Sequence, residues 1–502
     1  MDSGKVAPHL TKGRRDRTLL QWRGLEPQNR PTSASFDFAC RVRGRSYWSA
    51  RYLFAQSTSG GYMQREVGSA GSAKAKRPYL EVVLVSVMFL AATTLPALGK
   101  HSDGADNSTL NQVVLSLIYV VVGIRVLTMR SRFVALAKST MSIWVFVALM
   151  CASVVWSVAP GVTLSHSIEL AGSTLIGYYL VTRFSLSEFL GILLATFALI
   201  AIASLALVFG APGHGRDDWG SGPWAGIFPD KNALAAEMAV AVIAALCFPA
   251  KGRKAWLLTL GALALFSTLL LGASSATALG DGVATSAAVL LGLGCRSTKV
   301  GKIARVVTGA CFAALATAFV FFGVTPAALP GLLGRSATLT GRTDFWPVLQ
   351  QAIADNPVLG YGYNAFFRSS VGAKRLSAYV VEAGGWTPSH AHNSLLQVSL
   401  DAGVVGVLVL GYALVRAAFR SVVYFARGKD RASAWPFALV LFLVLGSYTE
   451  SYFGMFNSDW IFFVAAMLYP LRDDVFAREF ASRRALVERR FASATAASPQ
   501  SS

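Results

Sequence analysis

Charge is scarce in this chain. Asp, Glu, Lys and Arg make up 14% of its 502 residues, whereas a soluble domain carries about 25%. That shortage excludes a string of soluble globular domains, which the length alone would allow. Histidine is rarer still, with six in all. The five cysteines (Cys40, Cys151, Cys247, Cys295 and Cys311) lie far apart, so neither a disulfide framework nor a thiolate metal site is expected. No apolar stretch follows Met1, so no signal peptide is expected there. No internal repeat is visible. The net charge of +20 comes without a recognition element or a folded basic face, which excludes nucleic acid as a partner.

What is present is apolar. Hydrophobic residues make up 54% of the chain and fall in separate runs of about 20 residues, each able to cross a hydrocarbon core of ~30 Å. We read about twelve runs: 79–98, 110–128, 139–158, 164–182, 189–210, 231–249, 255–272, 278–294, 304–325, 393–415, 433–449 and 454–471. Lys and Arg concentrate in alternate connections. These hold Arg125, Arg130, Arg132 and Lys138; Arg183; Lys251, Arg253 and Lys254; Arg296, Lys299, Lys302 and Arg305; Arg416, Arg420, Arg427, Lys429 and Arg431; and Arg472. The positive-inside bias then predicts an even number of spans with both termini cytoplasmic. It puts 211–230, 326–392 and the acidic segment 450–459 on the periplasmic side.

The expected fold is an all-α integral membrane protein of about twelve transmembrane helices, with a large periplasmic loop, 326–392, containing short helices. A loop of that length inside a compact domain is usually functional. Residues 1–78 are basic and irregular. They read either as a disordered cytoplasmic N-terminal tail or as an over-extended gene start, since Met63 shortly precedes Lys74-Ala75-Lys76-Arg77 and the first span. Residues 79–471 are the membrane domain, and 472–502 a cytoplasmic C-terminal tail.

Polar chemistry collects in the expected outer loops. Residues 342–355 read as an amphipathic helix with Phe345, Trp346, Leu349 and Ile353 on one side, suited to the plane of a membrane interface; Asn356-Pro357 ends it. Arg342 at its start offers a planar fork of donors for phosphate oxygens, or else snorkels or pairs with Asp344. Lys231 and Asn232 lie where a helix N-terminus favours anions, or are bystanders to an N-cap by Asp230. In Ser389-His390-Ala391-His392-Asn393-Ser394, His392 marks the outer mouth of an apolar helix. There it is a base for a sugar hydroxyl or simply a polar cap; His390, two residues away, would point elsewhere on a helix. Gly403 and Gly406 offer a small face for helix packing. Asp401, Glu169 and Glu237 sit inside expected spans, where a carboxylate is either functional or hydrogen-bonded between helices. No spacing marks a metal site; Asp217-Asp218 comes nearest.

His392-Asn393, with Gly403-x-x-Gly406 beyond it, resembles the signature of the bacterial O-antigen ligase superfamily, which also holds O-antigen and succinoglycan-type exopolysaccharide polymerases. Gly226-x-Phe228-x-x-Lys231-Asn232, Ser274-Ser275-Ala276-Thr277-Ala278, Gly341-Arg342-x-x-x-Trp346 and Pro357-x-x-Gly360-x-Gly362 resemble further family elements in the same order. The similarity covers about 80–470, and the basic tail has no counterpart. The resemblance implies a metal-independent glycosyltransferase, with no cofactor, acting at the periplasmic face of the inner membrane on an undecaprenyl-diphosphate-linked oligosaccharide. It implies that Arg216 and Arg342 bind the diphosphate, assisted by Lys231, and that His392 activates the acceptor hydroxyl. Asn232, Asn393 and Glu450 are expected to support the site. The acceptor is a growing polysaccharide or lipid A-core, and the further partners are membrane lipids and chain-length regulator or export proteins. Similarity around Gly226–Asn232 and Glu450 favours a polymerase over a ligase. A transporter or flippase of lipid-linked glycan is the rival from another class; it should show repeats or interrupted helices near the midplane, and neither is visible in the sequence.

Overall fold

The computed structural model describes residues 35–42, 45–55, 62–65, 85–86, 109–217, 220–294, 342–383, 385, 387–454 and 457–496. The chain divides into two units, Met1–Pro78 and Tyr79–Ser502. In the first, three antiparallel strands pair in order: β1 (Ser35–Val42), β2 (Arg45–Ala55) and β3 (Tyr62–Arg65). The register opposes Ser35 to Leu53 and Phe54 to Met63. These strands lie inside the region expected to be a disordered tail or an over-extended gene start. Segments such as Arg45–Ala55, rich in Tyr, Trp, Phe and Leu, suit a pleated surface.

The regular elements among the described residues of the second unit are helices, with one isolated bridge between Arg216 and Trp224. Its main helices are α1 (Thr109–Thr128), α2 (Arg130–Ser139), α3 (Met141–Ala152), α4 (Pro160–Arg183), α5 (Leu186–Gly210), α6 (Lys231–Cys247) and α7 (Arg253–Gly272). These are followed by α8 (Ala276–Gly294), α9 (Arg342–Asp355), α10 (Ser370–Glu382), α11 (Ser394–Arg427), α12 (Trp435–Gly446) and α13 (Ser458–Ala496). Among the described residues, α5, α7, α8 and α11 are long and apolar enough to cross a membrane; the pair α1/α2, bent by 96°, adds a fifth if it counts as one span. That is fewer than the twelve expected. The expected spans 79–98 and 304–325 lie almost wholly outside the described residues. The others fall on helices that are shorter, such as α3 and α12, or more polar, such as α4 with its buried His166 and Glu169. Within the expected C-terminal tail, α13 runs on through Pro470 and stays helical to Ala496.

Contacts between the helix ends fall into two sets. At one end Arg420 donates to the Ser139 carbonyl (3.3 Å) and Arg472 to that of Val181 (2.8 Å). There too Arg132 lies over Phe476, and Arg431 over Trp256. At the other end Trp224 N–H bonds the Gly272 carbonyl (3.0 Å), Ser275 the Asn232 side chain (3.0 Å) and Ser394 N–H the Ser447 carbonyl (2.8 Å). The connections expected outside thus meet one another, and the basic ones gather at the opposite end.

Candidate functional site

The site is built around a break in α11. Ala402 and Gly403 leave helical geometry there, Gly403 with φ +59° and ψ −157°, a region open essentially to glycine alone. A break frees carbonyls on one side and N–H groups on the other, and in an apolar setting each must find a partner. Residues 357–362 provide them. Tyr361 N–H bonds the Leu400 carbonyl (2.7 Å) and Gly362 N–H that of Asp401 (3.1 Å), while Val404 N–H bonds the Pro357 carbonyl (2.8 Å). A Cβ on Gly403 would overlap the Val358 backbone, and one on Gly360 the Leu400 carbonyl. Gly403 therefore does not serve as a smooth helix-packing face, as expected; it admits a loop. At Gly406 an added Cβ would press on Ala402 of the same helix at 2.7 Å.

The Asp401 carboxylate holds the same loop, accepting the Asn364 N–H (2.9 Å) and the Gln397 amide (3.1 Å). Gln397 in turn accepts the Ala391 N–H (3.0 Å), and the Ala391 carbonyl receives the Trp346 indole N–H (3.0 Å). Of the carboxylates expected within spans, Glu169 bonds His166 at 2.8 Å and Glu237 bonds Ser458. The amphipathic helix α9 forms where expected, but Phe345, Trp346 and Leu349 are buried against Tyr361, Phe366, Leu376 and Leu400. Its apolar face packs inside the protein, not on a membrane surface, because α10 and the docked loop cover it.

His392 lies just before the first turn of α11. Its backbone is left-handed (φ +48°), uncommon for a side chain with a Cβ and characteristic of constrained positions. Asn393 caps the helix by accepting the Leu396 N–H (3.0 Å) and donates to the Tyr448 carbonyl (3.1 Å). Ser394 donates to the Glu450 carbonyl (3.0 Å) and accepts the Tyr452 N–H (3.0 Å). These bonds bring the 447–453 turn against the histidine, so that Glu450 Oε2 stands 3.2 Å from His392 Nδ1. His390 does not point elsewhere. Neither histidine is on a helix, their ring centres are 3.9 Å apart, and His390 Nε2 is 3.9 Å from the same carboxylate oxygen. Two residues of separation predicts divergence only on a helix.

The second group of expected residues surrounds the 211–230 connection. Arg216 donates through Nε to the Val208 carbonyl (3.3 Å) and stacks near Phe209 and Trp224. Lys231 begins α6, its N–H 3.4 Å from Asp217. Asp230 caps that helix through the N–H groups of Asn232 and Ala233. Asn232 is tied to Ser275 as noted above. Arg342 is the first residue of α9, one turn ahead of Trp346, and its side chain lies outside the described residues. Sequence reasoning missed the importance of Ser394, Gln397 and Tyr452. Burial raises the Tyr452 hydroxyl well above the usual tyrosine range, reinforced by Asp459, Glu450, Asp281 and Glu237. It therefore stays neutral among these acids.

Residues 238–411 match the family model described as O-Antigen ligase. Among curated proteins, the exopolysaccharide production protein ExoQ of Rhizobium meliloti (strain 1021) is 28% identical over 292 residues, covering 55% of this chain. The aligned part spans 64% of that relative's length. Together the two matches support an O-antigen ligase/ExoQ-like family, as the motifs suggested. The family match includes Arg342, His392, Asp401 and Gly403; Arg216, Lys231, Asn232 and Glu450 lie outside it.

Proposed function

We propose that the protein is a glycosyltransferase of the bacterial inner membrane that joins undecaprenyl-diphosphate-linked oligosaccharide repeats at the periplasmic face. The observation that carries this reading is the His392–Glu450 pair at the mouth of the broken helix. A carboxylate on Nδ1 fixes the imidazole with its hydrogen on that atom, so Nε2 is the nitrogen that accepts a proton. The acceptor sugar hydroxyl gives its proton to Nε2 as its oxygen attacks the anomeric carbon of the donor. The bond from that carbon to the diphosphate breaks, and undecaprenyl diphosphate leaves with the electron pair. Glu450 stabilises the imidazolium that forms. Arg216, Arg342 and Lys231 hold the developing diphosphate charge, in the role a divalent ion has elsewhere, so the reaction needs no metal. The growing polysaccharide is the acceptor, and chain-length regulator and export proteins are the partners.

Chain growth is preferred over transfer to lipid A-core because the similar protein is named for exopolysaccharide production. A transporter fits less well. One helix is interrupted after all, contrary to the sequence reading, but its freed backbone groups are bonded by the chain's own loop and offer a substrate nothing. The test is transfer by purified protein from a synthetic undecaprenyl-diphosphate oligosaccharide, with EDTA present. Wild-type activity that vanishes in His392→Ala supports the reading; equal rates in both would overturn it.

A further inference from the structure

Three potential metal ligands meet at this mouth, a set that no spacing in the sequence announced. Donor atoms of His390, His392 and Glu450 all lie within 4.8 Å of one another. The His392 and His390 nitrogens are 3.2 and 3.9 Å from one Glu450 oxygen. Donors about 2.0–2.1 Å from a tetrahedral zinc ion stand roughly 3.3 Å apart, so a small inward turn of His390, the most exposed of the three, completes the geometry. Ser389 Oγ lies 3.1 Å from His390 Nδ1. With the hydrogen kept on that nitrogen, Nε2 presents its lone pair, the outer-shell arrangement usual for a metal-bound imidazole. Two imidazoles and one carboxylate are a zinc-type ligand set.

We infer that His390, His392 and Glu450 bind one zinc ion and that bound zinc switches transfer off. The zinc takes the place of the hydrogen between His392 Nδ1 and Glu450. The imidazole keeps one proton, now on Nε2, so the atom that would accept the acceptor's proton already carries one. No electron moves. Only the switching half rests on His392 acting as the base; the binding half stands on the ligand geometry alone.

The test uses the whole chain, purified in detergent and stripped with EDTA. Zinc is titrated against a chromophoric chelator, and cobalt(II) replaces it for absorption spectra. We expect one zinc per chain and the visible bands of tetrahedral cobalt. His390→Ala should weaken binding at least tenfold and abolish the bands, and Ser389→Ala should weaken it about tenfold. Without zinc, His390→Ala should transfer at the wild-type rate; with zinc, it should resist inhibition that stops the wild type. Absence of stoichiometric binding, or binding unchanged in His390→Ala, overturns the site. Binding that leaves wild-type transfer intact, or a stripped protein active only after zinc is added, overturns the switch. If no preparation transfers glycan, the proposed function fails while the titration still decides the site.

Discussion

His392 Nδ1 and Glu450 Oε2 are 3.2 Å apart although 58 residues separate them. Bonds from Ser394 to the 450–453 backbone set that distance, so the carboxylate reaches the ring without a long search. Glu450→Gln keeps the size and removes the charge that steadies an imidazolium. It should lower the transfer rate constant about 10–100-fold with little change in donor KM, and Glu450→Asp should recover part of the loss. His392→Ala should cost about 10²–10⁴-fold. Steady-state rates on purified variants check this order, which a purely structural Glu450 would not produce.

Gly403→Ala should be damaging out of proportion to one methyl group. The glycine-only backbone angles alone cost about 1–3 kcal/mol for another residue, and the added carbon would collide with the Val358 backbone. We expect a fall of several degrees in the melting temperature of detergent-purified protein, together with loss of transfer. Gly406→Ala presses on a side-chain methyl group instead and should be milder in both assays.

Arg216→Ala and Arg342→Ala should each lower transfer tenfold or more at normal expression, as loss of a charge-assisted contact costs about 1.5–3 kcal/mol. Lysine should rescue only in part, for want of the bidentate fork. Arg216 also stacks near Phe209 and Trp224, so melting curves must accompany the rates. Full activity in both alanine variants would remove these residues from the diphosphate site.

A cysteine at Ser370, in a Cys-less background, should be labelled by an impermeant reagent as soon as that reagent reaches the periplasm. One placed near Arg420 should need the inner membrane breached. The reverse pattern would invert the orientation on which the donor's side depends.

The general architecture was legible because it follows from hydropathy and loop charge. Connections that share a charge class also meet in space, as Arg420 does with Ser139 and Asn232 with Ser275. The family motifs were legible as strings, but not their physical meaning. Gly403 and Gly360 read as separate small residues because a helix break and the loop filling it lie some forty residues apart. His390 was misjudged because a helical projection was applied to a segment that α11 has not yet entered. The sheet at 35–65 was missed because aromatic residues among arginines carry a weak strand signal next to the apolar runs that follow.

The loop docked in α11 also bears on how a long polymer could move through the site. Lifting Pro357–Gly362 would strand the Leu400 and Asp401 carbonyls and the Val404 N–H together. That segment therefore behaves as a fixed anvil. On the proposed reading, whatever gives way to let a lengthened glycan advance must belong elsewhere.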